Sequence, residues 1–116
     1  MRRAFIPLVV IGLVLGTPAA HAHAFLDRAN PRVGSAVRTA PGEVTLWFTQ
    51  NLEPSFSSAT VSNSSGARVD QGARVGGSVM HVRVRSLPPG TYRVNWRVLS
   101  VDTHTTEGSF SFRVGE

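Results

Sequence analysis

From Glu43 onward, apolar residues return at every second position in short runs, and Gly, Pro and Ser fall between the runs. In the run 43–49, Val44, Leu46 and Phe48 share one face. In 79–84, Met80, Val82 and Val84 share a face, while His81 and Arg83, with Arg85 beyond, point the other way. In 91–98, Tyr92, Val94, Trp96 and Val98 oppose Arg93, Asn95 and Arg97, and in 109–114 Phe110, Phe112 and Val114 align. A period of two sends alternate side chains to opposite faces of an extended strand, so each run reads as a half-buried strand. Pro88-Pro89-Gly90 and Asn63-Ser64-Ser65-Gly66 supply turns. The segment 59–62 is a shorter strand candidate, 67–70 a hairpin return, and 24–28 an edge strand leading into Asn30-Pro31. No segment after Ala22 carries a 3.6-residue period. The chain therefore reads as all-β, an antiparallel sandwich or barrel.

A chain of 116 residues accommodates one domain. It has no Cys, which excludes a disulfide scaffold, thiolate zinc sites, iron–sulfur clusters and Cys-based blue copper. All 12 basic residues are Arg, so a P-loop lysine and a Schiff-base lysine are absent too.

The first 22 residues differ from the rest. Met1-Arg2-Arg3 is a short basic start, an uncharged apolar run follows to Gly16, Thr17-Pro18 breaks it, and Ala20-His21-Ala22 has the A-x-A form. This is the layout of a secretory signal peptide over 1–22, with one domain over 23–116. The apolar run is short of the ~20 residues of a membrane span. Ala22-His23-Ala24 also fits A-x-A, so the pattern alone leaves cleavage after Ala22 or Ala24 open. Removing 22 of the 116 residues leaves 94, and the two Arg that leave lower the net charge from +5 to +3. Export places the mature domain in the periplasm or outside the cell. Export, scattered Arg and few aromatics argue against nucleic acid as a partner.

Three histidines survive cleavage after Ala22: His23, His81 and His104. His104 lies in the loop between the two clearest strands, two residues after Asp102, so in extended backbone both project to one side. An Asp-x-His pair alone is more often an Asx-turn beside a solvated histidine than a ligand pair. A mature N-terminal His23 adds an α-amine and a ring nitrogen. Together these are three nitrogens and one oxygen, a donor set suited to one tetragonal copper(II) ion. Zinc would favour a tetrahedron.

At this point the sequence resembles the CopC family of periplasmic copper-binding, copper-resistance proteins. The matching pieces are His23-Ala24-Phe25-Leu26, Asn30-Pro31-Arg32-Val33-Gly34-Ser35, 44–52, 89–98 and Ser100-Val101-Asp102-Thr103-His104. The resemblance implies a small Greek-key, immunoglobulin- or cupredoxin-like antiparallel β-sandwich. It implies a copper(II) site of His23, Asp102 and His104, a role in copper resistance by sequestration or delivery, and a membrane copper transporter as a partner. Where many relatives carry a Glu that hydrogen-bonds a ligating group, this chain has Gln50. Such outer groups change metal affinity by about 10- to 100-fold. Some relatives bind copper(I) through a Met-rich stretch. Here Met1 lies in the signal and Met80 stands alone on an inward face, so Met80 reads as core.

Two other functions fit parts of the pattern. A histidine-brace copper monooxygenase also starts at His, but it needs an open coordination position and a flat aromatic face. A metal-free immunoglobulin-like interaction domain would make His23 and the Asp102 loop coincidental. The reading favoured by the sequence is a binding protein and not an enzyme. His81 reads as solvated, Trp47 as outward and Trp96 as inward.

Overall fold

The computed structural model describes residues 23–115; the segment 1–22, which the sequence reads as a signal peptide, lies outside the described residues. Eight strands appear in chain order: β1 (Leu26–Asn30), β2 (Ala36–Val37), β3 (Glu43–Phe48), β4 (Ser58–Ser62), β5 (Asp70–Gly76), β6 (Val79–Val84), β7 (Gly90–Leu99) and β8 (Thr105–Val114). A 3₁₀ turn, Pro54–Phe56, precedes β4. The strands form two four-stranded sheets, ordered β1-β3-β6-β5 and β2-β8-β7-β4. Every pairing is antiparallel except that of β2 with β8.

The alternating residues face inward as expected. Val44, Leu46, Met80 and Val82 from one sheet, and Val61, Val94, Val98 and Phe112 from the other, are essentially inaccessible. Each such side chain contributes about 1.5–3 kcal/mol by leaving water. Register extends the pattern across strands: Val94 lies opposite Val61 and Phe110, and Leu46 opposite Met80. Trp96 packs edge-on against Phe48, with ring centroids 5.2 Å apart, and so joins the two sheets. The Tyr92 hydroxyl donates to the Pro88 carbonyl at 2.5 Å, which fixes the entry to β7.

Three details differ from the sequence reading. β5 extends to Gly76, although Gln71-Gly72-Ala73-Arg74 shows no alternation. It is an edge strand whose residues are mostly exposed, and its pairing with β6 comes from the hairpin through Gly77 and Ser78. β2 has only two residues and is set by pairing with Arg113 and Val114. His81 is half-buried and not simply solvated: its Nδ1 lies 3.2 Å from Glu43 Oε1, because Glu43 on β3 and Arg74 on β5 flank it across the sheet. Trp47 does face outward, with the Arg28 guanidinium 3.8 Å above its ring.

The sheet directions give the sandwich two distinct ends. The arm before β1, the β3–β4 connection, the β5–β6 hairpin and the β7–β8 loop meet at one end, joined by bonds from Leu52 N–H to Gly77 O and from Val101 N–H to Asn51 O. The β1–β2, β2–β3, β4–β5 and β6–β7 connections occupy the other, joined by bonds from Arg85 N–H to Val69 O and from Val84 N–H to Gly42 O.

Candidate metal centre

The residues singled out in the sequence meet at the first of these ends. His23 lies on the arm before β1, and Asp102 and His104 on the loop from β7 to β8. The arm is fixed through its backbone. Phe25 N–H donates to Thr49 Oγ1 at 2.9 Å, Thr49 N–H donates to Phe25 O at 2.9 Å, and the Thr49 hydroxyl donates to His23 O at 3.3 Å. On the other side the Thr106 hydroxyl donates to Ala24 O at 2.5 Å, and Ala24 itself is fully buried. These bonds bring the first residues of the domain to the mouth of the β7–β8 loop.

That loop is organised by Ser100. Its side chain is 0% exposed. The Ser100 hydroxyl donates to Asp102 Oδ1 and accepts the His104 N–H at 3.2 Å. The backbone closes the same turn, with Ser100 N–H bonded to His104 O at 2.9 Å and Thr103 N–H to Ser100 O at 2.8 Å. Thr103 has φ of 71°, a left-handed conformation that a β-branched residue adopts only when its surroundings impose it.

Asp102 Oδ1 also lies 3.3 Å from His104 Nδ1. When Nδ1 carries the proton, it donates to the carboxylate and Nε2 keeps its lone pair for a ligand. The bond from Ser100, and then that from His104, hold the Asp102 carboxyl below the usual carboxylate range. Asp102 is therefore an anion at neutral pH. Oδ1 is engaged by Ser100 and His104, which leaves Oδ2 as the oxygen open to a cation.

The His23 ring stacks on that of His104, with centroids 4.5 Å apart and planes inclined by 20°, and on Phe25 at 5.9 Å. Nitrogen lone pairs lie in the ring plane, so these stacked rings hold their donors in two near-parallel planes and not toward one point between them. Among the described residues no three His, Asp or Glu side chains stand as a finished ligand cage. A shared ion requires the rings to turn out of the stack. His104 is exposed enough for such rotamer changes to be accessible. In the full chain the His23 nitrogen belongs to a peptide bond, and a free amine arises only if the chain is cut before it. The donors gathered here, imidazole nitrogen and carboxylate oxygen, fit copper(II).

Gln50 is half-buried, between Thr49, which bonds His23 O, and Asn51, whose carbonyl accepts Val101 N–H. His81 lies on the sheet face at Glu43, apart from this end, and Met80 is core. Thr49, Thr106 and the role of Ser100 escape a reading of motifs alone. Ser100 had a signal, two residues before Asp102, whereas Thr49 and Thr106 act through contacts that no spacing reveals.

A family model described as the CopC domain matches residues 26–115. The chain is similar to copper resistance protein C of Escherichia coli, 39% identical over 116 residues that cover 89% of this chain and 90% of that protein. Among solved structures it is similar to CopC from Methylosinus trichosporium OB3b, with TM-score 0.76, 35% identity, and coverage of 79% of this chain and 93% of that one. It is also similar to PcoC, a methionine-rich copper resistance protein from Escherichia coli, with TM-score 0.70, 36% identity, and coverage of 79% and 98%.

Proposed function

The chain belongs to the CopC family, and from that premise we propose that it is an exported copper-binding protein serving copper resistance and homeostasis. The signal segment 1–22 is removed, and the domain 23–116 holds one copper(II) ion through the His23 amine and ring, Asp102 and His104. The observation that carries this reading is the meeting of the His23 ring, His104 and the Asp102 carboxylate at one end of a CopC-family sandwich.

The protein sequesters the ion or passes it on in the periplasm or outside the cell, and a membrane copper transporter is its proposed recipient. It acts as a carrier and not as an enzyme. Asp102 places a carboxylate beside the two histidines, where an oxygen-activating centre keeps a position open. A single carboxylate only partly neutralises the doubly charged ion, which suits transfer. The Met-rich stretch used by some relatives for copper(I) has no counterpart, because the only methionine among the described residues, Met80, is buried.

The test is a copper(II) titration of the chain beginning at His23, followed by electron paramagnetic resonance. The expected result is one equivalent bound in a tetragonal nitrogen–oxygen environment, lost in His104→Ala. Absence of a bound copper signal, or an unchanged signal in His104→Ala, overturns the assignment.

A further inference from the structure

Charge is distributed unevenly along the sandwich. Of the six described acidic residues, Asp27, Glu53, Asp102 and Glu107 lie toward the metal-centre end. Glu107 pairs there with Arg97, and the other two acids are engaged as well: Asp70 with Arg68, and Glu43 with Arg74 and His81. At the opposite end, Arg32, Arg38, Arg83, Arg85 and Arg113 are all exposed, and none forms an ion pair with a described acidic residue. They come from four separate connections and strand ends that the fold gathers together. Arg113 N–H bonds Ser35 O, Arg85 N–H bonds Val69 O, and Arg38 follows the two-residue strand paired with β8.

Two further features share this end. Val33, at the tip of the turn after β1, is 57% exposed, an apolar side chain next to Arg32. Beside Arg85 a cleft of about 380 Å³ opens, with Ser65 and Ser86 in its wall. Five exposed guanidinium groups without a carboxylate partner among the described residues, at the end that also carries the apolar Val33, match a surface that offers many phosphates above hydrocarbon. Guanidinium binds phosphate oxygens in a bidentate fork, and a small apolar group gains by entering the headgroup boundary.

We propose that this basic end docks on an anionic phospholipid surface, leaving the metal-centre end uncovered. The inference rests on the export reading, which puts the domain beside the outer face of a membrane. It needs no copper, so its failure leaves the copper assignment standing. Docking would concentrate the protein at the membrane of the proposed recipient. The acidic character of the other end, repelled by the same surface, gives the docked molecule a preferred orientation.

The test uses the chain beginning at His23, which retains every described residue, in flotation with phosphatidylglycerol–phosphatidylcholine vesicles and with phosphatidylcholine vesicles alone. Binding is expected to the anionic vesicles only, and to fall steeply between ~50 mM and ~300 mM salt as screening shortens the reach of the charges. Each arginine near the surface strengthens binding about fivefold. The combined variant Arg32→Gln, Arg38→Gln, Arg85→Gln is therefore expected to bind on the order of 100-fold more weakly. Its far-ultraviolet circular dichroism and denaturation midpoint should match those of the parent protein, which shows that it folds. Val33→Ser should weaken binding while leaving the salt dependence in place. Equal binding to both vesicle types, or no loss in the triple variant, overturns the proposal. So does absence of binding at low salt, a result that would point the basic end to an acidic protein instead.

Discussion

The imidazole of His23 lies against that of His104, centroids 4.5 Å apart, although 81 positions separate the two residues in the sequence. The contact exists because Thr49 and Thr106 hold the backbone of residues 23–25 from two sides. It places the start of the domain within reach of the loop that carries Asp102.

The first consequence concerns the start of the chain. Adding one residue before His23 turns its amine into an amide but leaves the ring and the threonine bonds in place. Copper(II) affinity is expected to fall by more than the ~10- to 100-fold typical of changes around the ligands, because a donor and its chelate ring are lost. Competitive titration against a chelator checks it. Unchanged affinity in the extended protein would refute the amine-plus-ring chelate.

Ser100 makes a different argument, since it touches no proposed ion. Its hydroxyl bonds Asp102 and His104 N–H, and its side chain is 0% exposed. Ser100→Ala leaves the His104 amide without its side-chain acceptor and frees the Asp102 carboxylate to rotate. Copper affinity is expected to drop about tenfold, and stability by about 1–2 kcal/mol. Titration and chemical denaturation measure the two separately. A loss of stability with no loss of affinity would limit Ser100 to a structural role.

Much of this was legible in the sequence, and the exceptions have physical causes. β7 and β8 alternate strictly because one face is packed and the other wet, so Tyr92, Val94, Trp96, Phe110 and Phe112 declared their side. β5 gave no such signal. At the edge of its sheet, Gln71, Gly72, Ala73 and Arg74 are all exposed, and hydrogen bonding to β6 holds the strand without a buried face. His23, Asp102 and His104 were legible as types and spacings. Their hydroxyl partners Thr49 and Thr106 were not, because a threonine that bonds distant backbone looks like any other strand residue. The left-handed backbone of Thr103 was equally hidden, since glycine is the residue that usually marks it.

Acid stability should depend on Asp70. Arg68 bonds both of its oxygens at 2.8 and 2.9 Å, Val61 N–H adds a third bond, and the side chain is 7% exposed. The Arg68 bonds, helped by that from Val61, hold its carboxyl below the usual carboxylate range. A carboxyl depressed in the folded state binds its proton more readily when unfolded. Its stabilisation is thus complete above the unfolded value near ~3.9 and is lost as pH falls through the lower folded value. Asp70→Asn is expected to cost about 1–2 kcal/mol at neutral pH, after allowance for the exposure of Arg68. It should also flatten the fall in stability below ~pH 4. Denaturation midpoints across the acid range check this; an equally steep acid limb in the variant would remove Asp70 from the account.

Gly108 tests how tightly the Trp96 indole, which joins the two sheets through Phe48, is held in place. It lies opposite Trp96 in the β7–β8 register, and the indole lies across the space a side chain would fill. A Cβ at Gly108 would stand 2.6 Å from Trp96 Cζ2 and 2.9 Å from Cε2. The indole cannot easily yield, because Trp96 is buried and its ring packs edge-on against Phe48 of the other sheet. Overpacking of this kind costs about 1–3 kcal/mol. Gly108→Ala is therefore expected to destabilise the fold by that amount and to shift the Trp96 fluorescence as the ring is displaced. Thr106, two residues earlier on the same strand, carries the bond to Ala24, so the displacement should reach the arm that bears His23. Copper affinity is then expected to fall in Gly108→Ala and to recover in the double variant Gly108→Ala, Trp96→Phe, in which the smaller ring relieves the contact. Chemical denaturation and copper titration of the two variants check both effects. A stable Gly108→Ala with unaltered fluorescence would show that the indole has room to move, and that the packing around it is looser than the 2.6 Å approach implies.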